Sequence, residues 1–139
     1  MAILEVQPLV LKDVELVIGG ETGDDFRKHV SGAVFAPTSG TTTWTGLGLN
    51  THTDANTATW TCDLTYVQDW QSTKSLSRYL YDNEGETVPV EFRPKSGTGP
   101  SFTANIVITP GAIGGTVNSF AETTVSLGCD GKPSLVPAE

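Results

Sequence analysis

The clearest pattern in the chain is the run ATWTCDLTY, Ala58 to Tyr66. Ala58, Trp60, Cys62, Leu64 and Tyr66 alternate with Thr59, Thr61, Asp63 and Thr65. A period of two puts the first set on one face of a strand and the second on the other, so the run predicts a strand with one buried and one wet face. A slip of one residue would bury Asp63, so the register is well specified. Val14, Leu16 and Ile18 repeat the pattern before Gly19-Gly20, and Glu21 to Asp25 predict a polar turn. Phe26 to Ala36 predicts another strand, closed by Pro37. Thr87 to Arg93 alternates with Val88, Val90 and Phe92 inward; Pro89 has no N–H for a ladder and predicts an edge strand or a bulge. After a loop over Pro94 to Pro100, Phe102, Ala104, Ile106 and Ile108 form a further inward row. A turn over Pro110 to Gly115 leads to the last row, Ala121, Thr123, Val125 and Leu127. Asp130-Gly131 is a tight-turn signal before a short polar tail.

Only Ser72 to Asn83 carries a helical period. Ser72 is the expected N-cap, and Leu76, Tyr79 and Leu80 form one narrow apolar stripe. Asn83 and Gly85 are natural stops. One stripe predicts a helix laid across the outside of a sheet. The expected fold is therefore mainly β: about six or seven strands in two packed antiparallel sheets, a β-sandwich or flattened barrel, with one flanking α-helix and a long inter-strand loop. No internal repeat or composition break divides the chain, and 139 residues suit a single domain over 1–139.

The long loop is Pro37 to Ala58, PTSGTTTWTGLGLNTHTDANTA. Structureless connections beyond about 12–15 residues are uncommon and are usually functional or disordered. Trp44, Leu47 and Leu49 sit in it among Thr and Gly, with nothing local to bury them. Such a cluster marks an interface when it stays exposed. Either the loop folds back on its own domain or it docks on another subunit. Trp60 belongs to the buried phase of its strand, and Trp70 precedes the helix and is placed to staple it to the sheet.

Charge narrows the choice of partners. The net charge is −8, and the eight basic residues are scattered. Gripping nucleic acid needs a clustered Lys/Arg footprint, which is missing. No stretch approaches the roughly 20 apolar residues of a membrane helix, so no membrane insertion is expected. The N-terminus carries no basic leader, and the expected place of folding is the cytosol.

Catalytic and metal patterns are weak. His29 falls in a predicted strand and His52 in the loop, and no Gly-x-Ser-x-Gly elbow accompanies them. Gly19 to Asp25 lacks the Gly-Lys-Ser/Thr of a phosphate loop and ends in acids. Asp54 and Asn56 do not match a calcium loop. Asp82, Glu84 and Glu86 form a solvated charged turn. Cys62 and Cys129 lack metal spacing; they are either two buried thiols or a disulfide between neighbouring strands. The expectation is no enzyme, no cofactor and no metal.

The order of these elements resembles the tail tube (major tail) proteins of long, non-contractile-tailed bacteriophages. The resemblance rests on Phe35-Ala36-Pro37 before the long polar loop, then ATWTCDLTYVQDW running into a helix with Leu76, Tyr79 and Leu80. VPVEFRP, FTANIVI, Pro110-Gly111 with Gly114-Gly115, and VSLGCDGKPSLV follow. It implies a two-sheet β fold whose copies form hexameric rings stacked into a hollow tube. One sheet of each subunit would join an inner barrel through which double-stranded DNA passes without specific binding. The implied partners are the protein itself and the tail tip, tape-measure and tail terminator proteins. The implied location is the virion tail, assembled in the host cytoplasm. On this resemblance the loop is an inter-subunit contact, with Thr43, Trp44, Leu47, Leu49 and His52 as its candidate residues. Asp63, Glu91 and Glu122, acids on polar strand faces, are the candidate lumen-lining residues; the alternative is that they are ordinary solvated positions. An acidic wall would suit a conduit that must not hold DNA.

Two other classes compete. A β-sandwich binding module, Ig-like, carbohydrate-binding or of the head-decoration kind, would use the Trp-bearing loop as its ligand face. A small hydrolase ranks last.

Overall fold

The computed structural model describes residues 2–20, 23–95 and 99–137. Glu21 and Thr22 of the expected turn, Ser96 to Thr98 of the expected loop, and Ala138 and Glu139 of the tail lie outside the described residues. In chain order the strands are β1 (Glu15–Ile18), β2 (Asp24–Asp25), β3 (Val30–Thr38), β4 (Thr41–Thr45), β5 (Thr51–Ala55) and β6 (Thr59–Val67). The helix α1 (Leu76–Asp82) follows, then β7 (Thr87–Arg93), β8 (Ser101–Val107), β9 (Glu122–Gly128) and β10 (Ser134–Val136).

The strands form a five-stranded sheet ordered β10-β8-β7-β1-β2, a three-stranded sheet ordered β3-β6-β9, and a β4-β5 hairpin. Every pairing is antiparallel. The inward rows are those the alternation requires. Leu16, Ile18, Val90, Phe92 and Ile106 from the larger sheet meet Cys62, Leu64, Tyr66, Val125 and Leu127 from the smaller. Phe35 and Phe92 touch across the two sheets, with ring centroids 5.8 Å apart. This is a sandwich with one core, and the expected mainly-β architecture is observed.

Several local expectations are revised. The helix begins at Leu76, not near Ser72, and its N-cap is Ser75. The Asp69 carboxylate accepts from the Gln71 and Ser72 backbone N–H groups, so that stretch is a side-chain-closed turn. The Ser75 hydroxyl donates to the Asp69 carbonyl and accepts from the Arg78 N–H. The stripe itself holds: Leu76 and Leu80 are fully buried and join the core. Trp70 lies edge-on to Tyr81 and covers the outside of the helix. Trp60 is only half-buried.

Pro89 is not in an edge strand, since β7 lies between β8 and β1. The ladder with β1 stops at Ile18 opposite Val90, one residue short of Pro89. Beyond it the Gly19 N–H donates to the Pro89 carbonyl. The missing N–H thus faces a turn, where no strand asks for it. The expected strand from Phe26 begins only at Val30, because residues 27–29 form a turn in which the His29 N–H bonds to the Phe26 carbonyl. The tail is also more ordered than its polarity suggests, as β10 pairs with β8 at the sheet edge.

Candidate functional site

The stretch from Pro37 to Ala58 is not a loop. β3 runs on to Thr38, opposite Thr59 of β6, and the ribbon then continues outward as β4 and β5. The Asn56 N–H donates to the Gly40 carbonyl at 2.8 Å and joins the two segments. The chemistry of the sequence explains it. Thr is β-branched and fits a pleated surface, so a Thr-rich ribbon can form strands without an apolar period.

The tip is built by Gly46 to Asn50. The Gly46 N–H donates to the Asn50 carbonyl, and the Leu49 N–H to the Gly46 carbonyl. Leu49 adopts a left-handed backbone with φ 64. This is the geometry of a three-residue hairpin loop, where the left-handed position usually falls to Gly. A branched side chain there costs roughly 1 kcal/mol.

Register sorts the arm into two faces. Thr41, Thr43, Thr45, Thr51 and Thr53 occupy one, with Thr43 and Thr53 hydroxyls 3.1 Å apart. Thr42, Trp44, His52 and Asp54 occupy the other, where Trp44 and His52 stack. Every residue of β4 and β5 is exposed, and the tip residues Leu47 and Leu49 are almost wholly so. The arm therefore does not fold back on its own domain. A two-stranded hairpin alone is marginal in water. Thr43, Trp44, Leu47, Leu49 and His52 all belong to this arm.

The three acids do not share a surface. Asp63 and Glu122 lie on the outer face of the three-stranded sheet, along with Thr65 and Thr124, whose hydroxyls are 3.0 Å apart. The Ser126 hydroxyl donates to Asp63 at 2.6 Å. None of β3, β6 or β9 contains Lys or Arg. Glu91 lies on the outer face of the five-stranded sheet, on the opposite side of the sandwich, and pairs with Arg93 at 3.2 Å. Arg93 also meets Glu15, and Arg27 reaches Asp13, Glu15 and Asp25. Burial raises the Asp25 carboxyl, but hydrogen bonds from the Arg27 side chain and from backbone N–H groups outweigh it and leave the group below its usual range.

His29 packs edge-on against Phe26 and His52 stacks on the arm, so the two histidines serve different elements. Among the described residues no group of three or more His, Cys, Asp or Glu side chains is placed to hold a metal ion. Cys62 and Cys129 are free thiols. Burial, then the neighbouring Cys129 and Asp63, push the Cys62 thiol up to about 12.

Reading the sequence alone misses a second feature, an open aromatic cleft of about 760 Å³ at the root of the arm. Phe35 and Trp60 form one wall; Phe92, Phe102, Pro133 and Leu135 form the other. The hint in sequence is Leu135-Val136, an apolar pair in a polar tail.

No protein-family model matches this sequence, and no characterised protein matches it by sequence comparison. Solved structures do match in shape. A chain in the tail of an empty GTA particle, determined with C6 symmetry, superposes with a TM-score of 0.62 at 16% identity over 87% of this chain and 95% of that one. A chain in the virion of a native gene transfer agent particle gives 0.61 at 15% identity, over 88% and 95%. The chain described here thus shares its fold, over most of its length, with chains of gene transfer agent particles.

Proposed function

We propose that this protein is a structural subunit of a phage-type tail tube, which assembles into stacked hexameric rings around a channel for DNA. The observation that carries this reading is the β4-β5 arm, an ordered ribbon with an apolar tip that buries nothing in its own domain. The fold it stands on is that of a chain from a tail with C6 symmetry, which supports six copies per ring.

In this reading the three-stranded sheet faces the channel. Its outer face carries hydroxyls and two acids and no cation among its strand residues, so it would repel rather than hold phosphate. Asp63 and Glu122 are then the channel acids. Glu91, neutralised by Arg93 on the other sheet, faces away from the channel. β3 and β9 are the edge strands of that sheet and can continue it into neighbouring copies. The tail tip, tape-measure and terminator proteins would be the further partners, and the virion tail its location.

The test is negative-stain microscopy of the concentrated pure protein beside a variant lacking residues 40–56. Tubes or rings of uniform width from the parent, with a folded monomer from the variant, are the expected result. A parent that stays monomeric even with tail-tip components present would overturn the reading. An arm that serves as a ligand face would leave the oligomeric state unchanged on deletion.

A further inference from the structure

The arm tip and the aromatic cleft lie on one molecule and do not meet there. Leu47 is fully exposed and Leu49 is 84% exposed, so neither touches the cleft of its own chain. The cleft starts at the arm root, where Trp60 pairs with Pro37. The ribbon from Thr38 to Leu47 reaches out by roughly 30 Å at a strand rise of about 3.3 Å per residue. We propose that the Leu47–Leu49 tip of one copy seats in the Phe35–Trp60–Phe102–Leu135 cleft of another copy. This deepens the tail-tube reading and rests on it, since it names the surface that receives the arm.

The cleft suits this occupant. Phe92, Phe102 and Leu135 form one inward row across β7, β8 and β10. Leu135 at its outer end is 58% exposed, so the row is left uncovered where the sandwich opens. The volume falls in the roughly 300–1,000 Å³ range of clefts that enclose a bound group. Gly46 to Asn50 carries no charge, and the cleft lining holds Lys132 but no acid, so seating the tip desolvates no carboxylate.

The strain at the tip points the same way. A left-handed Leu49 is retained where Gly would relax the turn. That cost makes sense where the side chain is used, and in the free chain it touches solvent. The exposed apolar stretch from Ile3 to Leu11 is the rival occupant. It forms no strand or helix of its own, so binding it would first cost the entropy of ordering it. The tip is already held by its turn hydrogen bonds. A donor and an acceptor at separate places on one chain make a head-to-tail contact, the kind that closes into rings or propagates along a stack.

The experiment mixes two defective proteins. Leu47→Asp with Leu49→Asp spoils the tip and keeps the cleft; Leu135→Lys spoils the cleft and keeps the tip. Both sites are exposed, and circular dichroism with thermal melting confirms that each variant folds. Each alone should need a concentration about a hundredfold higher or more to assemble. Light scattering of the equimolar mixture should show one-to-one pairs, because one intact tip meets one intact cleft. In a second measurement, a Leu49→Cys protein mixed with a Leu135→Cys protein should give a 49–135 disulfide under mild oxidation. If Leu135→Lys assembles like the parent while the tip variant does not, the tip docks elsewhere and the inference falls, with the tail reading intact. Normal assembly by both variants also overturns it. If the parent forms no tubes at all, the tail reading fails, and the cross-link at high concentration still decides the docking: its absence rejects it.

Discussion

Trp44 and His52 stack across the arm, ring centroids 6.0 Å apart and planes 29° from parallel. They are directly opposed in the β4-β5 register, and together they form an aromatic patch on one face of the ribbon. One face of the indole is therefore covered from within, and the other is left for a partner. Trp44→Ala should change unfolding free energy by less than about 0.5 kcal/mol, as expected for a surface side chain away from the core. The same change should weaken self-association. Denaturant melts beside sedimentation velocity check both halves, and a large stability loss with normal assembly would refute the assignment.

Leu49 separates turn geometry from contact. Leu49→Gly relieves the left-handed strain and should stabilise the tip by roughly 1 kcal/mol. Amide exchange at Gly46, whose N–H closes the turn onto the Asn50 carbonyl, should slow. Assembly should nevertheless become weaker. Improved assembly would mean that rigidity, not the leucine side chain, is what the tip supplies.

The three strand-face acids divide by sheet, and the proposed orientation predicts a different response from each sheet. Asp63→Lys and Glu122→Lys should slow DNA ejection from otherwise intact tails, because they place cations on a face whose strands carry none. Glu91→Lys should leave ejection unchanged and lower stability modestly, since it turns an ion pair with Arg93 into a repulsion. Equal effects from the two sheets would contradict the orientation proposed above.

Asp25 sets an acid-side response. Its Oδ2 accepts from Arg27 Nη2 at 2.7 Å and Nε at 2.9 Å, and its Oδ1 from the Arg27 backbone N–H at 3.0 Å. A carboxyl whose folded value lies below its unfolded value of 3.8 adds stability that is fully present above that value. The contribution disappears as pH falls through the folded value. Asp25→Asn should therefore be less stable than the parent at neutral pH and should show a shallower loss as pH falls below 3.8. Melting temperature against pH for the two proteins is the measurement; parallel curves would show that the carboxylate does not couple to folding.

Cys62 reports on the core. Its thiol is pushed up to about 12, chiefly by burial, so little thiolate exists near neutral pH. Native protein should resist thiol reagents at Cys62 at pH 8 and react only as fast as it opens. Cys62→Ser should cost about 1–3 kcal/mol by burying a hydroxyl among Leu64, Leu127 and their neighbours. Rapid labelling of native Cys62 would show that the sheets part far more easily than their packing implies.

Much of this protein is determined locally, by side-chain alternation. The inward rows on β6, β7, β8 and β9 follow from a period of two, and the stripe of Leu76, Tyr79 and Leu80 follows from a helical one. These are properties of neighbouring residues, and the core obeys them. The Thr-rich stretch around Trp44 carries no such period because neither of its faces meets a core. Its pairing comes from cross-strand hydrogen bonds, which leave no hydrophobic trace in sequence. The same limit hid the place of Pro89, whose tolerance depends on where β1 stops, and the fate of Glu91. Alternation puts Asp63, Glu91 and Glu122 all on polar faces, but only sheet assignment shows that Glu91 faces the opposite side, beside Arg93. The aromatic cleft is likewise tertiary, because Phe35 and Trp60 approach Phe92, Phe102 and Leu135 only when the two sheets close. Sequence by itself determined which side is dry in β1, β6, β7, β8 and β9. The tertiary structure decided which dry and wet surfaces face one another, because that depends on contacts between residues far apart in the chain.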